Sequence, residues 1–375
     1  MKTDTSGMAA DIAGGLVHPL TWAAEEPLMV WNPIDNERWL RALYEGRRSG
    51  LALILEPGAD PSDPGPGDVA AEPGDLQTWV DWYERDLERR IALHRAVEDD
   101  AVPYVRVFTG TGLFAQAFGC PLHHFPDSPP AARPIVTEAV DCLHLPQPDM
   151  ETPCLARVLE LAERLAAAMP GVPIGVPDIQ SPFGIAAIIW NKEDFLLALL
   201  EEPTAVMDLV ERCGALLRTF LDAFLERVPN VQMCHCPAMW VPPEYGMHCS
   251  EDEIGIIAPE SFERFCLPQL SALSEHFGGL WMHCCADADH QYPGFERIPD
   301  LRGLNRRFFR GPEACIERFS DRAVFSMGWT PDEQLHAMLD AALPNSRFVF
   351  NLSGHTDPDQ ARRRLEGLRA RMPRP

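Results

Sequence analysis

The most chemically loaded stretch of the chain is LWMHCCAD, residues 280–287. A short apolar run, Leu280-Trp281-Met282, stops in an imidazole and two thiols, His283, Cys284 and Cys285, and then turns into an acidic loop. In a β-strand, side chains two residues apart face the same side. His283 and Cys285 therefore share one face, and Cys284 takes the other. Imidazole and thiolate are both zinc donors, and a catalytic zinc needs three protein ligands and one open position. Coordination also brings a thiol's pKa towards neutrality. The pair thus suits activation of a substrate thiol for methyl transfer. Against this stands the ordinary fate of a free cysteine, which is to pack in a core as a small apolar residue.

Other short runs end in polar residues too. The expected strand Val231–His235 ends in Cys234-His235-Cys236, and the expected strand Pro173–Ile179 ends in Asp178-Ile179-Gln180. Phe348–Leu352 leads into Ser353-Gly354-His355. Between these segments lie His248-Cys249, read as a loop pair, and the acids Glu251, Asp252 and Glu253. The acids read first as a solvated patch ahead of a helix, although one carboxylate from it could complete a metal site.

Such strand ends become a site only if something gathers them. The elements that would do so alternate along the chain. Strand starts fall at Leu51, Val105, Pro173, Val231, Leu280, Leu301, Ala323 and Phe348. Pro177 weakens the third, since proline cannot donate to a ladder. Helical stretches separate them. Leu76–Val97 sets Trp79, Trp82, Leu87 and Leu93 towards one side. Thr152–Met169 opens with Pro153 in its first turn. Thr204–Val228 carries Met207, Val210, Gly214, Leu217, Leu221, Phe224 and Val228 in one stripe. Pro259 suits a first turn, and Pro268 inside that helix predicts a kink. Repeated strand-then-helix order points to a parallel sheet, and eight such units point to one closed (β/α)8 TIM-type barrel with chemistry at the C-terminal strand ends. Residues 1–75 read as a variable lead-in, including the Pro- and Gly-dense loop 56–75, and residues 1–375 as one domain.

Composition narrows the partners. The chain has 375 residues, 46% hydrophobic and 23% charged, which is ordinary for a globular core. A net charge of −24 disfavours nucleic acid and anionic membranes. No apolar run is long enough to span a bilayer, and no secretory pattern opens the chain. The 11 cysteines, an odd number, do not read as a disulfide framework. A cytoplasmic protein acting on a small molecule is expected. No G-x-G-x-x-G stands at a strand-to-helix junction, so a nucleotide is not.

The block SEDEIGIIAPESFERFCLPQLSALSEHFGGLWMHCCAD, Ser250–Asp287, resembles the uroporphyrinogen decarboxylase superfamily. The likeness lies in the acids, the Ala-Pro-Glu helix start, the Phe and Pro within the helix, and the Gly-rich turn into His-x-Cys. Asp178–Phe183 and Phe350–His355 resemble two further strand ends of that family, which is built on one distorted (β/α)8 barrel. The resemblance implies one of two chemistries. The metal-free decarboxylases bind a porphyrinogen through an N-terminal Arg-rich segment that has no counterpart in residues 1–60. The corrinoid-linked methyltransferases hold zinc through His-x-Cys, here His283 and Cys285, with a third ligand near the last strand. That position holds Ser353 and His355, so His355, Glu251, Asp252 or Cys236 is the candidate third ligand. A corrinoid would come from a separate protein, because no D-x-H-x-x-G stands in this chain. In the decarboxylase-like alternative, Asp178, Arg106 and His355 would line the pocket. The third expectation is a non-catalytic binding barrel. Family members suggest a monomer or homodimer.

Overall fold

The computed structural model describes residues 31–372 apart from 59, 61, 126–129 and 356, and the side chain of His355 is also outside the described set. The expected lead-in at residues 1–30 lies outside it as well.

Parallel strands form two hydrogen-bonded sets that close on each other. The first contains β1 (Gly50–Pro57), then β2 (Val105–Arg106), β3 (Ile174–Gly175) and β4 (Val231–Gln232) follow in the chain, and these last three make the smaller set. After them come β5 (Met247–Ser250), β6 (Leu280–Cys284), β7 (Leu301–Arg306), β8 (Val324–Gly328) and β9 (Arg347–His355). The larger set runs β1-β9-β8-β7-β6-β5.

Each expected strand is present, and β5 is an addition. It occupies the segment that reads as a loop around His248-Cys249. Both β4 and β5 neighbour the line of residues 174–180. Val231 pairs with Ile174 at its start, and Ser250 pairs with Gln180 at its end. Together they stand where one long strand would, which preserves the eight positions of a (β/α)8 barrel. The break follows from Pro177. The ladder of β3 ends with the Val176 amide donating to Gln232, and Pro177 has no amide to continue it.

The opposite seam is closed by side chains. The carboxylate of Asp100 accepts from the Leu53 amide at 2.8 Å, and that of Asp99 accepts from the Leu55 amide at 2.7 Å. Two buried carboxylates thus stand in for carbonyls of a missing ladder, satisfying strand donors that would otherwise be stranded.

The alternation in each strand sorts its side chains. Leu51, Leu53 and Leu55 of β1, and Phe348, Phe350 and Leu352 of β9, join the outer core beneath the helices. Ala52, Ile54, Val324, Val349 and Trp281 face inward and join a separate inner cluster. The helix Pro33–Tyr44 adds Trp39, Leu40, Leu43 and Tyr44 to that cluster. It starts at an Asn32 cap with Pro33 in its first turn. Tyr44 donates to the Trp240 carbonyl at 2.7 Å, and the Trp281 indole donates to the Tyr245 carbonyl at 2.9 Å. Gly303, inward on β7, leaves the room that Trp281 fills, since a Cβ there would lie 1.9 Å from the indole. The barrel interior is therefore largely aromatic at one end, where Arg347 donates to the Leu43 carbonyl, and polar towards the strand C-termini.

The helices run close to expectation, at Leu76–Val97, Pro153–Ala168 and Pro203–Arg227. Of the stripe on the last, Met207 alone reaches the surface. The kink expected at Pro268 is realised as a π-turn over Phe262–Cys266. The Leu267 amide reaches back to the Phe262 carbonyl, a five-residue step that absorbs the amide missing at Pro268.

Candidate functional site

On β6, Leu280, Met282 and Cys284 pack into the outer core, while Trp281 and His283 face the interior. The two-residue rule thus holds, and Cys285 follows His283 to the mouth, where it is exposed. Cys284 is buried on the far face, and burial pushes its thiol up to about 12. All 11 cysteines are free.

The acidic segment divides for the same reason. The Glu251 amide donates to the His283 carbonyl at 2.8 Å, which carries the β5–β6 pairing one residue further. Consecutive residues then face opposite sides. Asp252 turns to the mouth, where its carboxylate accepts from the Cys285 amide at 2.7 Å and lies 3.5 Å from Nε2 of His283. One donor atom each from Asp252, His283 and Cys285 lies within 4.8 Å of the other two. Glu251 turns away, fully buried near Cys249 and Cys266. Its expected place in a solvated patch is therefore corrected, and so is its candidacy as a ligand beside His283. Burial pushes the Glu251 carboxyl up to about 8, with the Ser181 hydroxyl pulling weakly the other way.

The tautomer of His283 follows from its neighbour. The Asn305 amide nitrogen donates to the Ser326 carbonyl at 2.5 Å, so its oxygen is the atom 2.5 Å from Nδ1 of His283. An amide oxygen only accepts, so Nδ1 carries the proton and Nε2 presents its lone pair to Asp252 and Cys285. Asn305 was absent from the sequence candidates. The alternation of LRGLNR, residues 301–306, places it inward with Gly303, and that signal was sufficient to find it.

Thiolate, imidazole and carboxylate form a donor set that zinc accepts, and the exposed side of Cys285 leaves access for a further ligand. In the metal-free protein Cys285 holds its proton. Burial and then the Asp252 carboxylate push its thiol up to about 11.

A second group lies across the mouth. Arg106 on β2 donates to the His235 carbonyl at 2.7 Å. Nδ1 of His235 lies 3.6 Å from the Asp178 carboxylate, and its Nε2 meets the Ile179 backbone. His248 packs edge-on against His235 at 4.3 Å. Burial holds both imidazoles well below the ordinary histidine range, so they are neutral. Burial likewise raises Asp178, against the Gln180 amide, Arg106 and His283. Cys236 joins the two groups, with its sulfur 3.4 Å from Nδ1 of His283. The backbone of His355 ends β9 at the same mouth, but its side chain lies outside the described residues.

Beside Arg106 opens a cavity of about 380 Å³, bounded by Glu56, Tyr104 and Asn351 and roofed by Pro64–Gly67 with Trp79 and Trp82. The Pro- and Gly-dense loop is folded back onto the Leu76–Val97 helix. The Trp79 and Trp82 indoles donate to the Gly67 and Asp63 carbonyls at 3.1 and 3.2 Å. None of the triad residues lines this cavity. Among the described residues no helix is long and apolar enough to cross a membrane.

The family model described as uroporphyrinogen decarboxylase (URO-D) matches residues 88–300, more than half of the chain. Of 26 solved chains that match in structure, one is a methyltransferase from Methanosarcina mazei. It aligns at a TM-score of 0.63 and 13% identity, covering 89% of this chain and 98% of its own. Among curated proteins no sequence matches.

Proposed function

Because the chain belongs to the uroporphyrinogen decarboxylase family, we propose that it is a zinc-dependent, methyltransferase-like enzyme that activates a small thiol. The observation carrying this reading is the convergence of Asp252, His283 and Cys285 at the C-terminal end of β6. Zinc bound there would supply a Lewis acid that favours the thiolate form of a coordinated substrate. His283 offers Nε2 because Asn305 engages Nδ1. Asp252 serves as third ligand in place of Glu251, and orients Cys285 by accepting its amide. Asp178 and Arg106 contact the substrate from across the mouth. His355, at the end of β9, is retained as a substrate contact or further donor. The methyl group would come from a separate corrinoid protein, in keeping with the methyltransferase branch that His283-x-Cys285 resembles and with the methyltransferase found among structural neighbours. A cytoplasmic setting suits reduced thiols.

One observation favours a second reading, metal-free decarboxylation of a small carboxylated molecule. Asp178 is a half-buried carboxyl raised by desolvation against Gln180 and Arg106, and perturbed acids of this kind often serve in proton transfer. A substrate with many carboxylates fits poorly under either reading. Of the two guanidiniums at the cavity, Arg90 is already bound to Asp86, which leaves Arg106 alone.

Cobalt(II) titration of the metal-free protein separates the readings. The zinc reading expects a near-ultraviolet thiolate-to-cobalt band that saturates with one equivalent per chain and vanishes in Cys285→Ser. A titration with no such band in the wild type would contradict it.

A further inference from the structure

No triad residue lines the 380 Å³ cavity, and its polar wall includes Arg106, which is shared with the mouth of the proposed site. That volume lies at the small end of pockets that enclose small molecules. Three polar groups reach it from three different strands, each with capacity left over. Arg106 makes one hydrogen bond among the described residues, from Nη1 to the His235 carbonyl, which leaves the rest of its donor fork unspent. Asn351 is 3% exposed and donates its amide nitrogen to the Ala238 carbonyl at 2.6 Å. That bond fixes the orientation of the amide, and its oxygen is left buried without a partner. Glu56 also has a buried oxygen without a partner.

A buried acceptor with no donor costs stability, so its retention needs an occupant. The ligand must donate to Asn351 and accept from Arg106. Water could satisfy one group, but of the other lining residues His94 and Arg90 already face Asp99 and Asp86, and most of the rest are aromatic or apolar. Trp82, Tyr83, Tyr104 and Trp240 face the same space, and Trp79 closes it. We propose that this cavity binds a small monocarboxylate bearing a hydroxyl or amine next to the carboxylate and a flat apolar tail. The carboxylate meets Arg106, the donor meets the Asn351 oxygen, and the tail lies among the indole and phenol rings. Burial pushes the Glu56 carboxyl upward, opposed by Arg106 and Arg90. A dicarboxylate is disfavoured, since the charge of the second guanidinium, Arg90, is already matched by Asp86 through its Nε.

This inference does not depend on metal at the triad, so its test runs on the whole protein with zinc and again with chelator. The probes are 3-phenyllactate, 3-phenylpropionate, which lacks the hydroxyl, and 3-phenylpropane-1,2-diol, which lacks the carboxylate. Calorimetry should give saturable binding of phenyllactate in both conditions. Loss of either polar group should weaken binding roughly tenfold, as expected when a buried partner is left unpaired. In Arg106→Gln the preference for the acid over the diol should disappear, with a melting scan to confirm that the variant is folded. If it is not folded, the wild-type ranking of the three probes decides. Equal binding of all three, or no saturation below about 10 mM, a very weak affinity, overturns the proposal. Binding that needs zinc and ignores Arg106→Gln also overturns it, because the acid would then sit at the triad.

Discussion

Asn305 and His283 face each other at 2.5 Å between β7 and β6, with the Asn305 amide anchored on the Ser326 carbonyl. One hydrogen bond therefore decides which nitrogen of His283 is free for chemistry. Replacing Asn305 with Leu leaves Nδ1 only the Cys236 sulfur, a weak acceptor, and lets the imidazole take either tautomer. Zinc affinity, measured by competition with a chromophoric chelator, should fall about 10- to 100-fold, the usual cost of losing a ligand's supporting partner. Asn305→Asp keeps an acceptor and should retain affinity. Equal affinity in wild type and Asn305→Leu would show that the bond does not orient His283 for metal.

Glu251 makes stability depend on pH. Its carboxyl is raised to about 8 in the fold, whereas an unfolded chain releases the proton near the ordinary glutamate value of about 4.3. Between those values the native state holds a proton that the unfolded state lacks. Stability is therefore full below the lower value and is lost as pH rises through the upper one. Glu251→Gln removes this term. Denaturant melts should show the wild type weakening from pH 5 to pH 8 more than the variant does, with the variant the more stable at pH 8. Parallel curves would contradict the burial of an ionisable group at this position.

The seam at β1 rests on Asp99 and Asp100. Asp99→Ala strands the Leu55 amide and removes the partner of His94, which lies 2.8 Å from the same carboxylate. A loss of about 2–4 kcal/mol is expected, from one or two buried groups left unpaired. Chemical denaturation measures it. A loss below about 0.5 kcal/mol, typical of an uninvolved surface site, would mean that the seam is held elsewhere.

Legibility in the sequence followed the strength of the local pattern. β6 was readable because its apolar run and its His-x-Cys end both obey the two-residue period, and the structure keeps that register. The helix Pro203–Arg227 was readable from its stripe. β5 was not, because its four residues, Met247-His248-Cys249-Ser250, offer only two apolar outward positions beside two polar inward ones. That miss carried over to the acids. Without the register of β5, Glu251 and Asp252 could not be assigned to opposite faces, although one is fully buried and the other meets His283. The seam role of Asp99 and Asp100 was not legible, since nothing local announces a carboxylate that replaces a strand carbonyl. Asn351 and Glu56 lay at strand ends already noted, but their unpaired oxygens appear only when the cavity does.

A catalytic zinc held by His283, Cys285 and Asp252 would show first as bound metal. The most direct measurement is the metal content of protein purified without chelator or affinity-column metal, for the wild type, Cys285→Ser and Asp252→Asn. Close to one zinc per chain is expected in the wild type, with most of it lost in both variants and their melting behaviour otherwise preserved. Wild-type protein free of zinc, and unable to take it up from micromolar solution, would contradict the claim and leave Asp178 and Arg106 as the groups around which a metal-free reaction would have to be built.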